Sequence, residues 1–370
     1  MIPRARRRDA QSDYGLLLAA LLLLGFGLMM MWSASAILAD QQMHDSLFFL
    51  KRQGLFAAVG LMLMAFFART DYHRLRGWVW PAFFVSVLLL AAVLFMPPVA
   101  GVRRWIRLGP FGLQPAEFAK LSVILFIADF VDRKKSRIGS PLIGLLVPLG
   151  VVAVPLVLMG LEPDLGTPAL IFATVILTLF IGGARVSYVL GAILAAVPIV
   201  IVELLRKPYR RKRLLTFLDP FEQAQGAGYQ LAQSLIAVGS GGWFGKGLGA
   251  SQLKLMYLPA PHTDFIFPIV CEELGFVGAL AVLALFASLL MRGLRAARHA
   301  PDLFGSLLAS GLTLLLVLQA FFNVAMSIGL IPTKGIPLPF FSYGGSSLLV
   351  SLCAVGILLN ISRQGASPTR

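Results

Sequence analysis

YGLLLAALLLLGFGLMMMWSASAIL, the stretch from Tyr14 to Leu38, contains no charged side chain. A helix needs about 20 apolar residues to cross the hydrocarbon core of a bilayer. The first of ten apolar stretches lies at 14–39, and the others lie at roughly 53–68, 78–97, 117–131, 141–160, 167–182, 186–205, 265–291, 304–331 and 343–362. The sequence therefore predicts an all-α integral membrane protein with about ten transmembrane helices. Because the fourth, sixth and seventh stretches are short or polar-ended, counts of nine and eleven stay open.

The composition excludes a water-soluble fold. Of the 370 residues, 58% are hydrophobic and 13% are charged, and the mean hydropathy is +0.83. Soluble domains are closer to half apolar and a quarter charged. The arginine-rich start resembles a signal peptide, but the apolar run is too long and lacks a clear cleavage site, so it is predicted to be the first membrane helix. The two cysteines lie in apolar stretches and the four histidines are scattered, which favours neither a disulfide framework nor a structural metal.

The distribution of lysine and arginine predicts the orientation, because cytoplasmic loops are enriched in both. With the N-terminus inside, the short outer loops hold six cations: Lys51, Arg52, Arg103, Arg104, Arg107 and Lys334. The inner segments hold seventeen: Arg4, Arg6, Arg7, Arg8, Arg69, Arg74, Arg76, Arg133, Lys134, Lys135, Arg137, Arg185, Arg292, Arg295, Arg298, Arg363 and Arg370. We therefore predict a cytoplasmic N-terminus (1–13), a single polytopic membrane domain (14–363) and a cytoplasmic tail (364–370). The net charge of +15 is interpreted as cytoplasmic anchoring plus an anion at the outer face, rather than as nucleic-acid binding.

A long outer loop, about 206–262, is predicted between helices 7 and 8. It opens with six cations between Arg206 and Arg213, on the side where the orientation rule disfavours them. Either the topology slips between helices six and seven, or the outer face binds an anion. The loop is also rich in glycine, which permits tight turns and close backbone approach to a ligand, or simply a re-entrant or mobile loop. Residues 229–238 have helical apolar spacing and could lie along the membrane surface.

The other outer loops carry ionisable residues, which at membrane depth tend to mark function. Pro115 suits the first turn of a helix, and Glu117 and Lys120 share a face there and can pair. The alternative directs Lys120 and Arg104 towards an anionic ligand. In the stretch 162–167, Glu162 and Asp164 could cap a helix, hold a cation or orient a lysine.

Two further outer segments complete this face. Asp264 lies where a helix begins, which is also an ordinary place for a carboxylate. Glu272 and Glu273 follow about two turns deeper. The proline- and glycine-broken segment 332–347 is tolerable at membrane depth only if it lines a cavity or is buried in protein.

Motifs across nearly the whole chain resemble those of the SEDS (shape, elongation, division, sporulation) family, whose members include FtsW and RodA. They are WSAS (32–35), RRWIRLGPFGLQPAEFAK (103–120), EPDLGT (162–167), GYQLAQSLIAVGSGG (228–242), GKGLG (245–249), HTDFIF (262–267), EELGFVG (272–278) and FFSYGGSS (340–347). PTKG (332–335), EELGF and LKLMYLP (253–259) are more similar to FtsW, the division enzyme, whereas FFSYGG and the short termini would also suit RodA. Ala116, Ala260, Pro261, Pro268 and Cys271 depart from the family pattern.

The resemblance implies a peptidoglycan glycosyltransferase at the outer face of a bacterial inner membrane, acting in division or elongation. Such enzymes polymerise lipid II, joining the 4-hydroxyl of N-acetylglucosamine to the anomeric carbon of N-acetylmuramic acid and releasing undecaprenyl pyrophosphate. The family's essential acidic residue falls on Asp264, as the catalytic base. Expected substrate-binding residues are Arg103, Arg104, Glu117, Lys120, Asp164, His262, Lys334 and Ser342. No tightly bound cofactor is expected, although Mg²⁺ or Mn²⁺ could bind at Asp264, Glu162 and Asp164.

The expected partners are a class B penicillin-binding protein as transpeptidase, and other membrane proteins of the divisome or elongasome; nucleic acid is not among them. One carboxylate can suffice, because pyrophosphate leaves as an anion and needs neutralisation rather than protonation. The competing function is a lipid-precursor flippase or transporter, which predicts charges along a path through the membrane. Here the charged residues cluster at one face, which favours an enzyme.

Overall fold

A computed structural model describes residues 13–98, 102–108, 111–162, 164–206, 216–222, 228–253 and 263–365. Its main helices are α1 (Tyr14–Met43), α2 (Phe48–Arg69), α3 (Val79–Val93), α4 (Pro115–Arg133), α5 (Val147–Leu161), α6 (Gly166–Ile181), α7 (Val186–Arg206), α8 (Tyr229–Ser240), α9 (Ile266–Arg298), α10 (Leu303–Ser327) and α11 (Gly345–Gln364). A 3-10 helix, Tyr72–Trp78, precedes α3, and a π-helical turn, Leu142–Leu146, precedes α5.

Each of the ten predicted stretches coincides with a helix, which confirms the fold class. Within the described part of the chain, eight helical segments are long and apolar enough to cross a membrane. The other two are α6, with 16 residues, and α4, which carries charged side chains such as Asp129 and Asp132. The helix count of ten and the N-in, C-in orientation stay predictions. The short antiparallel pair β1 (Ile106–Leu108) and β2 (Phe111–Leu113) was not predicted; it pairs Ile106 with Leu113.

The helices differ strongly in how far the bundle buries them. In α11 and α10, 83% and 72% of the membrane-spanning window is buried inside the protein, whereas in α7 the share is 6%. A helix that is apolar on all sides yet unburied by protein is suited to lipid. The axis of the bundle is therefore α10 and α11, and α7 lies at its periphery.

The segment between α10 and α11 is non-helical, and its part from 336 to 342 is mostly buried, as the proline and glycine pattern requires. Leu338, Phe340 and Phe341 are almost fully buried. Its backbone approaches α1 so closely that a β-carbon on Gly27 would lie 2.2 Å from the Phe340 carbonyl oxygen. The irregular backbone is therefore covered by protein rather than by lipid.

The glycine-rich part of the outer loop packs its backbone against an interruption in α9. Gly275 has φ 67° and ψ −163°, which breaks the helix. A β-carbon on Gly241 would lie 1.9 Å from the Cys271 carbonyl oxygen, and one on Gly245 would lie 2.1 Å from the Glu273 carbonyl oxygen. The close approach that these glycines permit is thus to the protein's own backbone. The predicted helix at 229–238 is confirmed as α8, and Leu231, Ala232, Ser234 and Ala237 are its buried residues.

The two glutamates that follow Asp264 hold this loop in place. Glu272 forms an ion pair with Lys246 at 2.8 Å and accepts a hydrogen bond from the Ser251 hydroxyl at 2.5 Å. Glu273 accepts from the Ser33 hydroxyl of α1. Both carboxylates are buried and bonded, so their role is structural. The cations Lys207–Arg213 lie outside the described residues, whereas Arg206, at the end of α7, pairs with Glu203 at 3.6 Å.

Candidate active site

Asp264 lies in the turn that leads into α9 and is only partly buried, so a ligand can reach its side chain. Its backbone carbonyl accepts a hydrogen bond from the Asn323 side-chain amide of α10, at 2.8 Å. The same amide nitrogen donates to the carbonyl of Ile336, at 2.7 Å. Asn323 thereby joins the Asp264 turn to the segment that contains Lys334 and Gly335.

The carboxylate of Asp264 and the guanidinium of Arg104 both lie close to Gly335. A β-carbon built on it would lie 3.1 Å from Oδ2 of Asp264 and 3.8 Å from Nη1 of Arg104. The carboxylate and the guanidinium therefore face the same small volume, at the exposed backbone of Gly335. Lys334, half-buried, directly precedes Gly335 in the chain.

The loop between α5 and α6 forms another side of the site. Nε of Arg104 donates to the Glu162 carbonyl at 3.2 Å. The carboxyl of Glu162 is fully buried, and within the described residues neither of its oxygens has a hydrogen-bond partner. Burial, together with the nearby Asp164 charge, raises the pKa of Glu162 to about 8 against the opposing effect of Arg104.

Asp164 caps α6, as one of the sequence interpretations predicted. Its Oδ1 accepts from the backbone N–H groups of Gly166 (2.9 Å) and Thr167 (3.2 Å). Its Oδ2 accepts from the Thr167 hydroxyl at 2.8 Å. Because the carboxylate is buried and both oxygens are bonded, Asp164 shapes the loop rather than facing an open volume.

Glu117 and Lys120 form the predicted ion pair at 2.8 Å, and each side chain is 2% exposed. Nζ of Lys120 also donates to Oε1 of Gln319 at 2.7 Å, and Gln319 in turn donates to the Pro337 carbonyl at 2.9 Å. This network ties α4 to α10 and to the start of the broken segment. Its burial favours a structural ion pair over direct contact between Lys120 and a ligand.

Of the remaining predicted residues, the two that the structure describes make their contacts elsewhere. Arg103 is exposed and donates to the Leu94 carbonyl near the end of α3, at 2.9 Å. The Ser342 hydroxyl is buried and accepts from the backbone N–H of Leu338 at 2.8 Å, which stabilises the broken segment. His262 lies outside the described residues.

A protein-family model matches residues 14–367 of the chain, and its description is FtsW/RodA/SpoVE, cell cycle protein. The chain belongs to this family. It is 44% identical to a probable peptidoglycan glycosyltransferase FtsW from Trichlorobacter lovleyi over 96% of this chain and 94% of that one. It is 45% identical to the stage V sporulation protein E of Bacillus subtilis over 96% of this chain and 98% of that one. The predicted resemblance to SEDS proteins is thereby confirmed.

The fold of this FtsW/RodA/SpoVE member also matches a solved structure. The match is to a chain of a peptidoglycan synthase complex that coordinates polymerization and crosslinking, with a TM-score of 0.78 and 30% identity. It covers 95% of this chain and 98% of that chain.

Sequence reasoning missed three residues of the site: Gly335, which was quoted only as part of a motif, and the amides Gln319 and Asn323. The two amides lie four residues apart in the apolar run of α10, and side chains at that spacing share one helix face. Polar side chains inside a membrane helix mark interhelical contacts or function. This spacing of two amides is the sequence signal for the site, but neither side chain is ionisable, so a search for charged residues does not detect it.

A divalent cation at Asp264, Glu162 and Asp164 does not fit the described geometry. Among the described residues, no group of three or more His, Cys, Asp or Glu side chains could hold a metal ion. The oxygens of Asp164 are already committed to the α6 cap. The binding of a divalent cation stays a prediction.

Proposed function

We propose that this protein is a peptidoglycan glycosyltransferase of the FtsW type, which polymerises lipid II at the outer face of the bacterial inner membrane. One observation carries the proposal: Asp264 and Arg104 converge on Gly335, beside Lys334. A single accessible carboxylate with cations at its side meets the demands of glycosyl transfer from a pyrophosphate-linked donor.

In the proposed reaction Asp264 acts as general base. It takes the proton of the acceptor N-acetylglucosamine 4-hydroxyl while that oxygen bonds to the anomeric carbon of the donor N-acetylmuramic acid. The bond between that carbon and the pyrophosphate oxygen breaks, and undecaprenyl pyrophosphate leaves with the electron pair. Attack from the face opposite the leaving group inverts the α-linked donor to a β-1,4 bond.

Arg104 and Lys334 are proposed to neutralise the departing pyrophosphate. Glycosidases typically need a second, protonated carboxyl to protonate a sugar leaving group, whereas pyrophosphate leaves as a stable anion. Fixed cations beside the reacting carbon therefore replace the acid. This division of labour explains why one carboxylate, Asp264, serves the site.

The relatives support the proposed chemistry and a partner. The Trichlorobacter lovleyi protein is named a probable peptidoglycan glycosyltransferase. The similar solved chain belongs to a peptidoglycan synthase complex that coordinates polymerization with crosslinking. We therefore propose a class B penicillin-binding protein as the crosslinking partner of this chain, in the divisome or elongasome.

The proposed function is tested by incubating the purified chain with lipid II in detergent and separating the products on a gel. A micelle has no second compartment, so a flippase would give no product, whereas the enzyme gives a ladder of glycan strands. A lipid-linked precursor without N-acetylglucosamine lacks the acceptor hydroxyl and should give none. Absence of strands with active lipid II and folded protein would favour the flippase.

Neighbouring arginines provide a matched test of the phosphate site. Arg104 faces the Asp264 volume, whereas Arg103 points to the Leu94 carbonyl. We expect Arg104→Met to lower the polymerisation rate at least tenfold and Arg103→Met to change it less than threefold, since a lost charge contact to the leaving group weakens the transition state. Equal losses would show that the pyrophosphate has been assigned to the wrong side chain.

A further inference from the structure

The buried amide of Asn323 bonds only to the two walls of the candidate active site, within the part of the chain that the structure describes. Its Nδ2 donates to the Asp264 carbonyl on one side and to the Ile336 carbonyl on the other, at 2.8 and 2.7 Å. Its Oδ1 has no partner among the described residues, and the side chain is fully buried. Burying an amide oxygen without a partner costs free energy, so packing alone would favour an apolar residue here.

The two carbonyls belong to segments that are far apart in sequence. Asp264 precedes α9, whereas Ile336 follows α10 and directly adjoins Gly335. Because one nitrogen bonds both carbonyls, their oxygens can be no further apart than the sum of the two hydrogen bonds. Asn323, on α10, therefore limits the distance between the Asp264 turn and the Lys334–Ile336 segment.

The gap on the ligand side of this bridge is narrow. A β-carbon on Gly335 would lie 3.1 Å from Oδ2 of Asp264, which is closer than most such contacts in proteins. A change of a few tenths of an ångström in the bridge therefore alters the space beside the carboxylate.

We propose that Asn323 is a positioning residue that sets the separation between the Asp264 carboxylate and the Lys334–Gly335 wall. The predicted effect of Asn323 on catalysis rests on the proposed function, whereas its effect on the geometry of the site does not. Loss of the bridge should lower the rate of the chemical step more than the affinity for lipid II, because a misplaced base acts in the transition state.

A thiol introduced at position 335 measures the separation without any catalysis. In a background in which Cys271 and Cys353, both buried, are replaced by alanine, Gly335→Cys places a thiol beside Asp264. Its pKa is read from the pH dependence of its alkylation rate. A carboxylate within about 4–6 Å raises a thiol pKa by roughly one unit or more, so Asp264→Asn should lower it by that amount.

The test measures the pKa of the thiol at position 335 in two variants, each of which removes one buried asparagine. In Asn323→Leu the pKa difference between Asp264 and Asp264→Asn should shrink, since the electrostatic interaction weakens with distance and with the entry of water into a wider gap. Asn360→Leu is the matched control. Asn360 is equally buried in α11 and bridges the Tyr72 N–H and the Ala68 carbonyl near the end of α2, where it touches no site residue.

The outcomes separate the proposals. A pKa difference that persists in Asn323→Leu, or that vanishes equally in Asn360→Leu, overturns the positioning role. If Asn323→Leu does not fold, Asn323→Ala takes its place, with the same expectation. Polymerisation kinetics then add the second arm, in which Asn323→Leu lowers kcat at least tenfold while KM changes less than threefold; an unchanged kcat would also overturn it. If only the proposed function is wrong, neither the wild type nor any variant makes glycan strands, but the thiol pKa differences are still observed.

Discussion

Replacing Lys120 with methionine separates a buried structural ion pair from a ligand-binding lysine. The substitution leaves Glu117, which is 2% exposed, without its cation, and it leaves Oε1 of Gln319 without its donor. Removing one partner of a buried pair costs about 3–5 kcal/mol, because the remaining charge is neither solvated nor compensated. We therefore expect the free energy of unfolding to fall by about that amount, which is about two to four orders of magnitude in the unfolding equilibrium.

The chain offers an exposed lysine–carboxylate pair of similar length as a control. Lys51 and Asp45 pair at 2.7 Å, but their side chains are 64% and 36% exposed. Exposed pairs contribute about 0–1 kcal/mol, so Lys51→Met should cost no more than that. The double variant Glu117→Gln with Lys120→Met should recover most of the lost stability, because it removes both buried charges.

The assay is equilibrium unfolding in mixed micelles by titration with sodium dodecyl sulfate, alongside a lipid II binding measurement. The structural role predicts a large loss of stability for Lys120→Met. It also predicts unchanged lipid II affinity under conditions where the variant is folded. The reasoning is refuted if Lys120→Met is as stable as Lys51→Met and binds lipid II more weakly, since Lys120 would then contact the pyrophosphate.

Three further predictions concern the loops. Gly241→Ala should destabilise the protein by more than about 2 kcal/mol, because the added methyl group would overlap the Cys271 carbonyl. The control Gly239→Ala has no atom within 4 Å of its added methyl group and should be neutral or slightly stabilising. Equal changes in the free energy of unfolding for the two variants would contradict the packing of this loop against α9. The free energy of unfolding should fall as the pH rises from 4.5 to about 8, because the pKa of Glu162 is higher in the folded state, and Glu162→Gln should remove that fall. Thermal melts of both proteins at pH 5 and pH 8 measure the difference. The same pH dependence in the wild type and in Glu162→Gln would count against the burial of this carboxyl group. A cysteine at Lys212 should react with a membrane-impermeant thiol reagent from outside the cell, and reaction only after permeabilisation would place a topology error between helices six and seven.

The membrane fold could be predicted because a bilayer leaves few alternatives to an apolar helix. Every apolar stretch of the sequence is a helix in the structure, and the Pro115 helix start and the Glu117–Lys120 pair follow from local rules. The count was harder, because α4 holds charged residues and is buried by its neighbours rather than by lipid. Local composition does not say which helices surround a given one.

The site was predicted in part. Asp264 and Arg104 were chosen from a motif and from charge, and the structure brings both to Gly335. The sequence could not show that Lys120 is buried inside the protein, or that Arg103 bonds to the Leu94 carbonyl while Arg104 faces Asp264. Both depend on which distant segments pack there, and residue spacing within one loop does not determine that packing.

Lipid II polymerisation by purified Asp264→Asn tests directly whether this carboxylate is the general base. Asp45→Asn is the control, since Asp45 is a partly exposed carboxylate in a different loop of the predicted outer face. General-base catalysis contributes about 10²–10⁴-fold, so Asp264→Asn should lose strand synthesis by that factor while its folding and membrane insertion are kept. Asp45→Asn should polymerise at the wild-type rate. An Asp264→Asn protein that makes glycan strands at a near wild-type rate would contradict the account.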